Sequence, residues 1–481
     1  MRLNSTQKFL LFFIPYFILY CISSHNALFW DTVQFAGDHP NWYFSTNFQY
    51  PLLPNSCDSG HPPTFGFLIA SGWKIFGRGL FQSHTFMLPF IVLIVWQAVR
   101  TGDLLFSENK KASFALSLLI LTQSILLTQC TLVSPDIWLA GFFLFTFNGI
   151  LKQNKLQLII GVIALGLISN RAMMAAFTLY LFALGFGYTP SVKGIKQWIS
   201  YAFSKVLPFL PGAIIAIAYF SYHYLVKGWV GAPKDSPWAA GFEFVAPQRM
   251  VLNVLILGWR IVDLGNLATV SAFVVVCFLW WKNKIVFQQS RQKNIAVALL
   301  VLILALFWIT AFPLALYQGL LAHRYLLPLN TSIVIFTAYL LFHSKINRKN
   351  TWITLLVLVQ LSGHFWNYPQ RVSQGWEGRL AYLNFFPLQK DFKDFMLKNG
   401  IKKEEVATTG NMTASDYRTQ MTNDTAGYKD FEVDSGKYIW YCNVANAMNK
   451  AVPYYFEHLQ ILKREKRGDV EMVLFKRPEE E

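Results

Sequence analysis

Acidic residues are scarce before position 367, so the few present are informative. Asp31, Asp38 and Asp58 share one polar stretch, Asp136 follows Ser134-Pro135, and Asp235, Glu243 and Asp263 come later. Cations stand near the ends of apolar runs: Arg171 in Ser169-Asn170-Arg171, Arg260, and Arg324 in His323-Arg324-Tyr325. A carboxylate that can take a proton, beside guanidiniums that can hold an oxyanion, suits group transfer from a phosphate ester. Each residue also has a plainer reading. Asp136 would be stabilised at a helix start by unpaired N–H groups and the dipole. Asp58 could open a turn before Pro62-Pro63. Arg171 and Arg324 could snorkel to an interface.

The elements that must position these groups are apolar. The chain has 481 residues, 54% hydrophobic and only 14% charged, with a mean hydropathy of +0.34. Soluble domains carry about 25% charged residues. About 20 apolar residues cross a hydrocarbon core, and about eleven such stretches occur, near 9–25, 84–100, 112–130, 135–151, 156–170, 172–189, 205–226, 264–281, 295–316, 324–343 and 351–366. The first follows Arg2 and Lys8 and has no small-residue cleavage site, so it reads as a retained span. The apolar stretch from Pro62 to Gly77 is too short to span and reads as an interfacial helix. With the N-terminus inside, the inner segments hold seventeen basic residues against Asp103 and Glu108, while outer loops and tail are nearly balanced. The net charge of +16 is therefore a positive-inside pattern and needs no nucleic-acid partner.

Three parts are expected: a long first outer loop (26–83), a membrane module over 1–366 that includes it, and an outer domain over 367–481. The tail is charge-balanced, with strands expected at 405–409, 437–441 and 470–475 and helices at 385–398 and 454–466. This makes a polytopic α-helical membrane protein with a small extracytoplasmic α/β domain. Five cysteines show no metal spacing, and a Cys57–Cys442 disulfide is left open. The carboxylates are spread singly, so no metal or other cofactor is expected.

Phe29-Trp30-Asp31 just after the first span, then Asp58-Ser59-Gly60-His61-Pro62-Pro63, resembles the protein O-mannosyltransferases and their bacterial relatives, the lipid A aminoarabinose transferases, of the GT-C superfamily. Pro135-Asp136 and Arg324-Tyr325-Leu326-Leu327-Pro328 resemble further elements of that superfamily, and the layout matches to about residue 345. The resemblance implies a GT-C-like fold and inverting transfer from a polyprenyl-phosphate sugar to a protein, lipid or glycan acceptor on the outer face. It implies Asp31 as general base, Asp58 and His61 as shaping the pocket, and Arg324 as holding the lipid phosphate. Asp31 and Asp58 are thus the catalytic candidates, and His61, Asp136, Arg171, Arg260, Arg324 and Tyr325 the substrate-binding ones. Where the mannosyltransferases show Asp-Glu, this chain has Asp31-Thr32, one carboxylate instead of two. A shorter chain without a large inserted domain points to a bacterial inner membrane, with the tail periplasmic. Rival readings are a transporter or flippase, which would place charge at midplane and repeat its halves, a ligase of preassembled glycans, and a scaffold.

Overall fold

The computed structural model describes residues 3–187, 194–233, 239–319, 321–369, 372, 374–431, 436–445 and 451–478. Asp235 lies outside them. A helical body occupies the chain to Phe365, and a five-stranded sheet with flanking helices follows. Among the described residues, five helices are long and apolar enough to cross a membrane: Ser5–Ser23, Leu80–Leu105, Ile195–Lys227, Ser290–Leu316 and His323–His343. A sixth crossing arises if Pro247–Val262 and Asn266–Trp281, which meet at a 94° bend, count as one. The other stretches expected to span also form helices, among them Pro135–Lys152, Lys155–Gly166, Asn170–Gly187 and Lys349–Ser362.

The axis of the body is Leu327–His343, buried on every face from Leu327 to Leu341. Burial on every face, with Asn330, Ser332 and Thr337 among the covered residues, means that other elements surround this helix and leave little of it for lipid. Pro135–Lys152 is buried almost as completely. Ser5–Ser23, by contrast, leaves Leu10, Leu11, Ile14, Ile18 and Ile22 exposed, as a lipid-facing helix does. At the opposite end from the first loop, Lys8 is buried and its Nζ meets Asp103 and donates to Ser113 Oγ at 2.8 Å.

Two sequence expectations are corrected in the body. The stretch 112–130 is divided into Lys110–Leu121 and Ser124–Gln129. The break at Thr122–Gln123 is held by hydrogen bonds from Thr122 to Gln360 Oε1 (2.8 Å) and from Gln123 Nε2 to Thr331 Oγ1 (3.3 Å). The stretch before residue 264, expected as an outer loop, contains the helix Pro247–Val262. Its apolar residues keep helical spacing but are interrupted by Arg249, Asn253 and Arg260, so it reads as polar in a search for uninterrupted apolar runs.

The first loop folds into short helices: a π-helix at Val33–Asp38, then His39–Ser45 and Thr64–Phe76, the last within the stretch expected to be helical from Pro62 to Gly77. In the tail, β1 (Val406–Thr408), β2 (Lys429–Asp430), β3 (Tyr438–Cys442), β4 (Gln460–Arg467) and β5 (Val470–Lys476) form a sheet ordered β2-β1-β3-β5-β4. The β1 pairings are parallel, and β3–β5 and β4–β5 are antiparallel. Phe385–Lys398 is the expected helix. The helix expected over 454–466 ends at His458, and β4 follows as one arm of a hairpin with β5. Gly468, at φ +54, makes the turn, and the hairpin overrides the helical propensity of Lys463-Arg464-Glu465-Lys466. Cys57 and Cys442 are both free thiols.

Candidate active site

Three helices that carry site residues are fixed by their starts. Asp136 lies in the first turn of Pro135–Lys152, capped by Ser134, whose Oγ accepts from Asp136 N at 3.2 Å. Arg171 opens Asn170–Gly187. Arg324 lies in the short turn His323–Leu326 that leads into the central helix. Helix starts present unpaired N–H groups and positive dipole ends, so their convergence favours an anion before any side chain is counted.

Arg324 is 5% exposed and stands among three carboxylates. Its Nη2 meets Asp31 Oδ2, its Nη1 meets Glu377 Oε2, and its Nε lies 3.1 Å from Asp136 Oδ2. Arg171 Nη1 lies 3.1 Å from the other Asp136 oxygen, and its guanidinium stacks 3.7 Å from the centre of the Tyr325 ring. Tyr325 Oη accepts from Arg324 Nη2 at 3.2 Å. Asp31 and Asp136 are thus matched by two guanidiniums, and Glu377 is a surplus carboxylate. Burial pushes Glu377 up to about 8, the attraction of Arg324 opposing the shift and the nearby Asp31 and Asp136 adding to it.

Two cavities meet at this cluster. One, of about 370 Å³, is lined by Asp31, Arg324, Glu377, Arg249, Asn253 and Arg260 among others. The second, of about 230 Å³, is lined by Asp31, Gln34, His61, Arg171, Leu314 and Tyr325 among others. Asp31 and Tyr325 border both. His61 stacks on Phe35 with ring centres 6.1 Å apart. Burial, aided by the Arg171 charge, pushes its imidazole down to about 4, so it is neutral at pH 7. Arg260 borders the first cavity, held 3.3 Å from His323 Nε2 and 3.7 Å from Asp263 Oδ2.

The structure brings Asp31, Asp136, Arg171, Arg324 and Tyr325 into direct contact and puts His61 and Arg260 on the cavity walls. Asp58 is elsewhere. It is 2% exposed and turned toward Ile195–Lys227, where its Oδ2 lies 3.1 Å from His223 Nε2 and 3.8 Å from Lys227 Nζ. Its Oδ1 accepts from Gly60 N at 2.9 Å, fixing the turn that presents His61. Asp58 lines neither cavity, so its position suits a supporting role and not contact with a substrate. Among the described residues, no three His, Cys, Asp or Glu side chains converge as metal ligands.

Sequence reasoning missed Glu377. It lies in Gly375-Trp376-Glu377-Gly378, in a tail where acids are common. The two glycines were the available signal. A Cβ at Gly375, whose φ is +62, would lie 2.3 Å from the His323 ring, and one at Gly378 would lie 2.5 Å from Leu264. Only a bare backbone lets this segment approach the helix ends closely enough to deliver Glu377.

No family model and no curated protein matches the sequence. Among solved structures, ArnT from Cupriavidus metallidurans bound to undecaprenyl phosphate is similar over 82% of this chain and 72% of its own, at 13% identity and a TM-score of 0.53. The apo form of that protein matches over 97% of both chains at 11% identity and a TM-score of 0.49. The Archaeoglobus fulgidus oligosaccharyltransferase in complex with zinc and sulfate matches 84% of this chain and 60% of its own, at 13% identity and a TM-score of 0.41. The likeness to the bound ArnT shows a shared fold.

Proposed function

We propose that the chain is a membrane glycosyltransferase that moves a sugar from a polyprenyl-phosphate carrier to an acceptor on the outer face, inverting the anomeric centre. One observation carries the reading: Asp31 stands where two cavities meet and is paired there with Arg324. The structurally similar ArnT was crystallised with undecaprenyl phosphate, which makes a lipid phosphate the first donor to test.

In this mechanism the carrier phosphate takes Arg324 and Arg171 as partners, and that competition releases Asp31 from its ion pair. Asp31 then accepts the proton of the acceptor hydroxyl as its oxygen attacks C1 of the sugar. The C1–O bond to phosphate breaks on the opposite face, and the electron pair leaves on the carrier phosphate. The guanidiniums stabilise that charge, Arg324 from a largely buried position where such contacts are stronger than in water. Two fixed cations supply what a divalent metal would, and the proposed transfer runs without one. The charge pattern supports an N-terminus in the cytoplasm and a tail on the outer face, and a chain without a large inserted domain fits a bacterial inner membrane, where that face is the periplasm.

The test is carrier consumption by purified protein, using a panel of radiolabelled polyprenyl-phosphate sugars, extracted membrane acceptors and a chelator arm. Loss of sugar from one carrier by the wild type, absent in a folded Asp31→Asn variant, is the expected result. No consumption or binding of any carrier in a broad panel refutes the reading, and inhibition by the chelator refutes the metal-free step.

A further inference from the structure

Asp31 is held from both sides by the tail. On its N-terminal side, Trp30 adopts φ +50, a conformation that bulky side chains seldom accept. Reciprocal hydrogen bonds close the turn around it: Phe29 N donates to Thr32 Oγ1 at 2.7 Å and Thr32 Oγ1 donates to Phe29 O at 2.8 Å. The Phe29 ring is buried in the tail's core, 4.9 Å from Tyr382 and 5.4 Å from Phe385. On its C-terminal side, Asp31 O accepts from Gln34 N and Phe35 N at 3.1 Å, leading into the π-helix Val33–Asp38. Such wide turns are rare and cluster at functional positions.

That π-helix ends on a clamp. Both Asp38 oxygens accept from Arg418, at 2.6 Å from Nε and 2.5 Å from Nη2. Gly37 lies under the Arg418 carbonyl, where a Cβ would come within 2.7 Å. Leu28 N donates to Thr419 O at 2.8 Å. From the far end of the first loop, Arg78 Nη2 donates to Tyr417 O at 2.8 Å and Nη1 to Met421 O at 3.0 Å. The segment is itself tied to the tail by Lys393 and Lys403, which lie 2.5 and 3.1 Å from the two Asp416 oxygens.

We propose that Arg418 is a positioning residue: through Asp38 and the π-helix it holds Asp31 at the junction of the two cavities. The proposal rests on Asp31 being the base. Arg418 is 45% exposed, and an ion pair so open to solvent adds little to stability. Its bidentate geometry instead fixes a register, and a small misplacement of a reacting group costs rate steeply.

The test compares full-length wild type, Arg418→Ala, Arg418→Lys and the charge swap Asp38→Arg/Arg418→Asp in nanodiscs. For Arg418→Ala the expected result is kcat lower by about tenfold, KM for the carrier within about twofold, an unchanged melting temperature, and faster hydrogen exchange at the amides of residues 31–38. The swap restores both rate and protection, whereas Arg418→Lys, which cannot make the bidentate contact, restores them in part. Unchanged exchange at 31–38, or unchanged kcat, overturns the proposal. A failed reading of the enzyme shows differently: the wild type consumes no carrier, while the exchange difference still reports whether the clamp acts.

Discussion

Two of the buried ion clusters in the helical body, one at each end, are built on opposite plans. At the end far from the first loop Lys8 faces Asp103, and the hydroxyls of Ser5 and Ser113 complete the carboxylate's partners. One cation meets one anion, and neither residue lines a described cavity beside the site. At the end beside the first loop Arg324 and Arg171 face three carboxylates, and two cavities open onto them. A matched and sealed pair can only hold helices together, and removing one partner strands a buried charge. A cluster with one surplus carboxylate and open walls has partners to exchange, which is the condition for taking up an anion and a proton.

If that contrast is right, substitutions at the two ends must fail in different ways. The largest effect is expected from Asp31→Asn: carrier turnover falls by about a thousandfold, within the range a general base contributes, while the melting temperature stays near that of wild type. Lys8→Met should do the reverse. It leaves Asp103 uncompensated and costs about 3 kcal/mol of stability, read as a lower melting temperature in detergent, with turnover per folded molecule unchanged. Loss of turnover without loss of stability in Lys8→Met would erase the distinction between the two ends.

The third expectation concerns the surplus carboxylate. Burial raises Glu377 to about 8, so it is mostly neutral at pH 7 and mostly charged at pH 9. Its negative form opposes a phosphate at Arg324, so carrier affinity should fall about tenfold as pH rises through 8. Equilibrium binding of the phosphodiester carrier, whose own charge is constant there, should show a slope that Glu377→Gln removes. The smallest effect is expected at Asp58. Because it braces the His61 turn against His223 and Lys227, Asp58→Asn should lower turnover by about threefold to tenfold, far less than Asp31→Asn. Equal losses would return Asp58 to the reacting centre.

Much of this was readable before the structure, and the reasons are physical. Asp31, Asp136, Arg171 and Arg324 stood out because charge is rare among apolar residues, and a rare charge at a helix start has few partners to find. Their contact followed once the starts were brought together. The wall helix Pro247–Val262 was hidden because its polar face interrupts the apolar run by which spans are recognised. Glu377 was hidden for the opposite reason, being one acid among many in a polar tail, and only the flanking glycines marked it. The direction of Asp58 was not legible because a motif gives residue types without direction: its side chain turns toward Ile195–Lys227, where it meets His223. The β4 strand was lost to local propensity, since Lys463–Lys466 favours a helix until the hairpin partner is present.

The right-angle bend at Asp263–Gly265 carries a consequence for the lipid. If Asn266–Trp281 crosses the bilayer by itself, a helix set at 94° to it runs along the membrane surface. Val251, Leu255 and Trp259 on Pro247–Val262 are exposed, as a face resting on acyl chains would be, while Arg249, Asn253 and Arg260 face the larger cavity. On that placement the helix would be a floating shelf, with the floor of the cavity level with the headgroups. A carrier's phosphate would slide onto that shelf at its native depth, with its hydrocarbon still dissolved in the membrane.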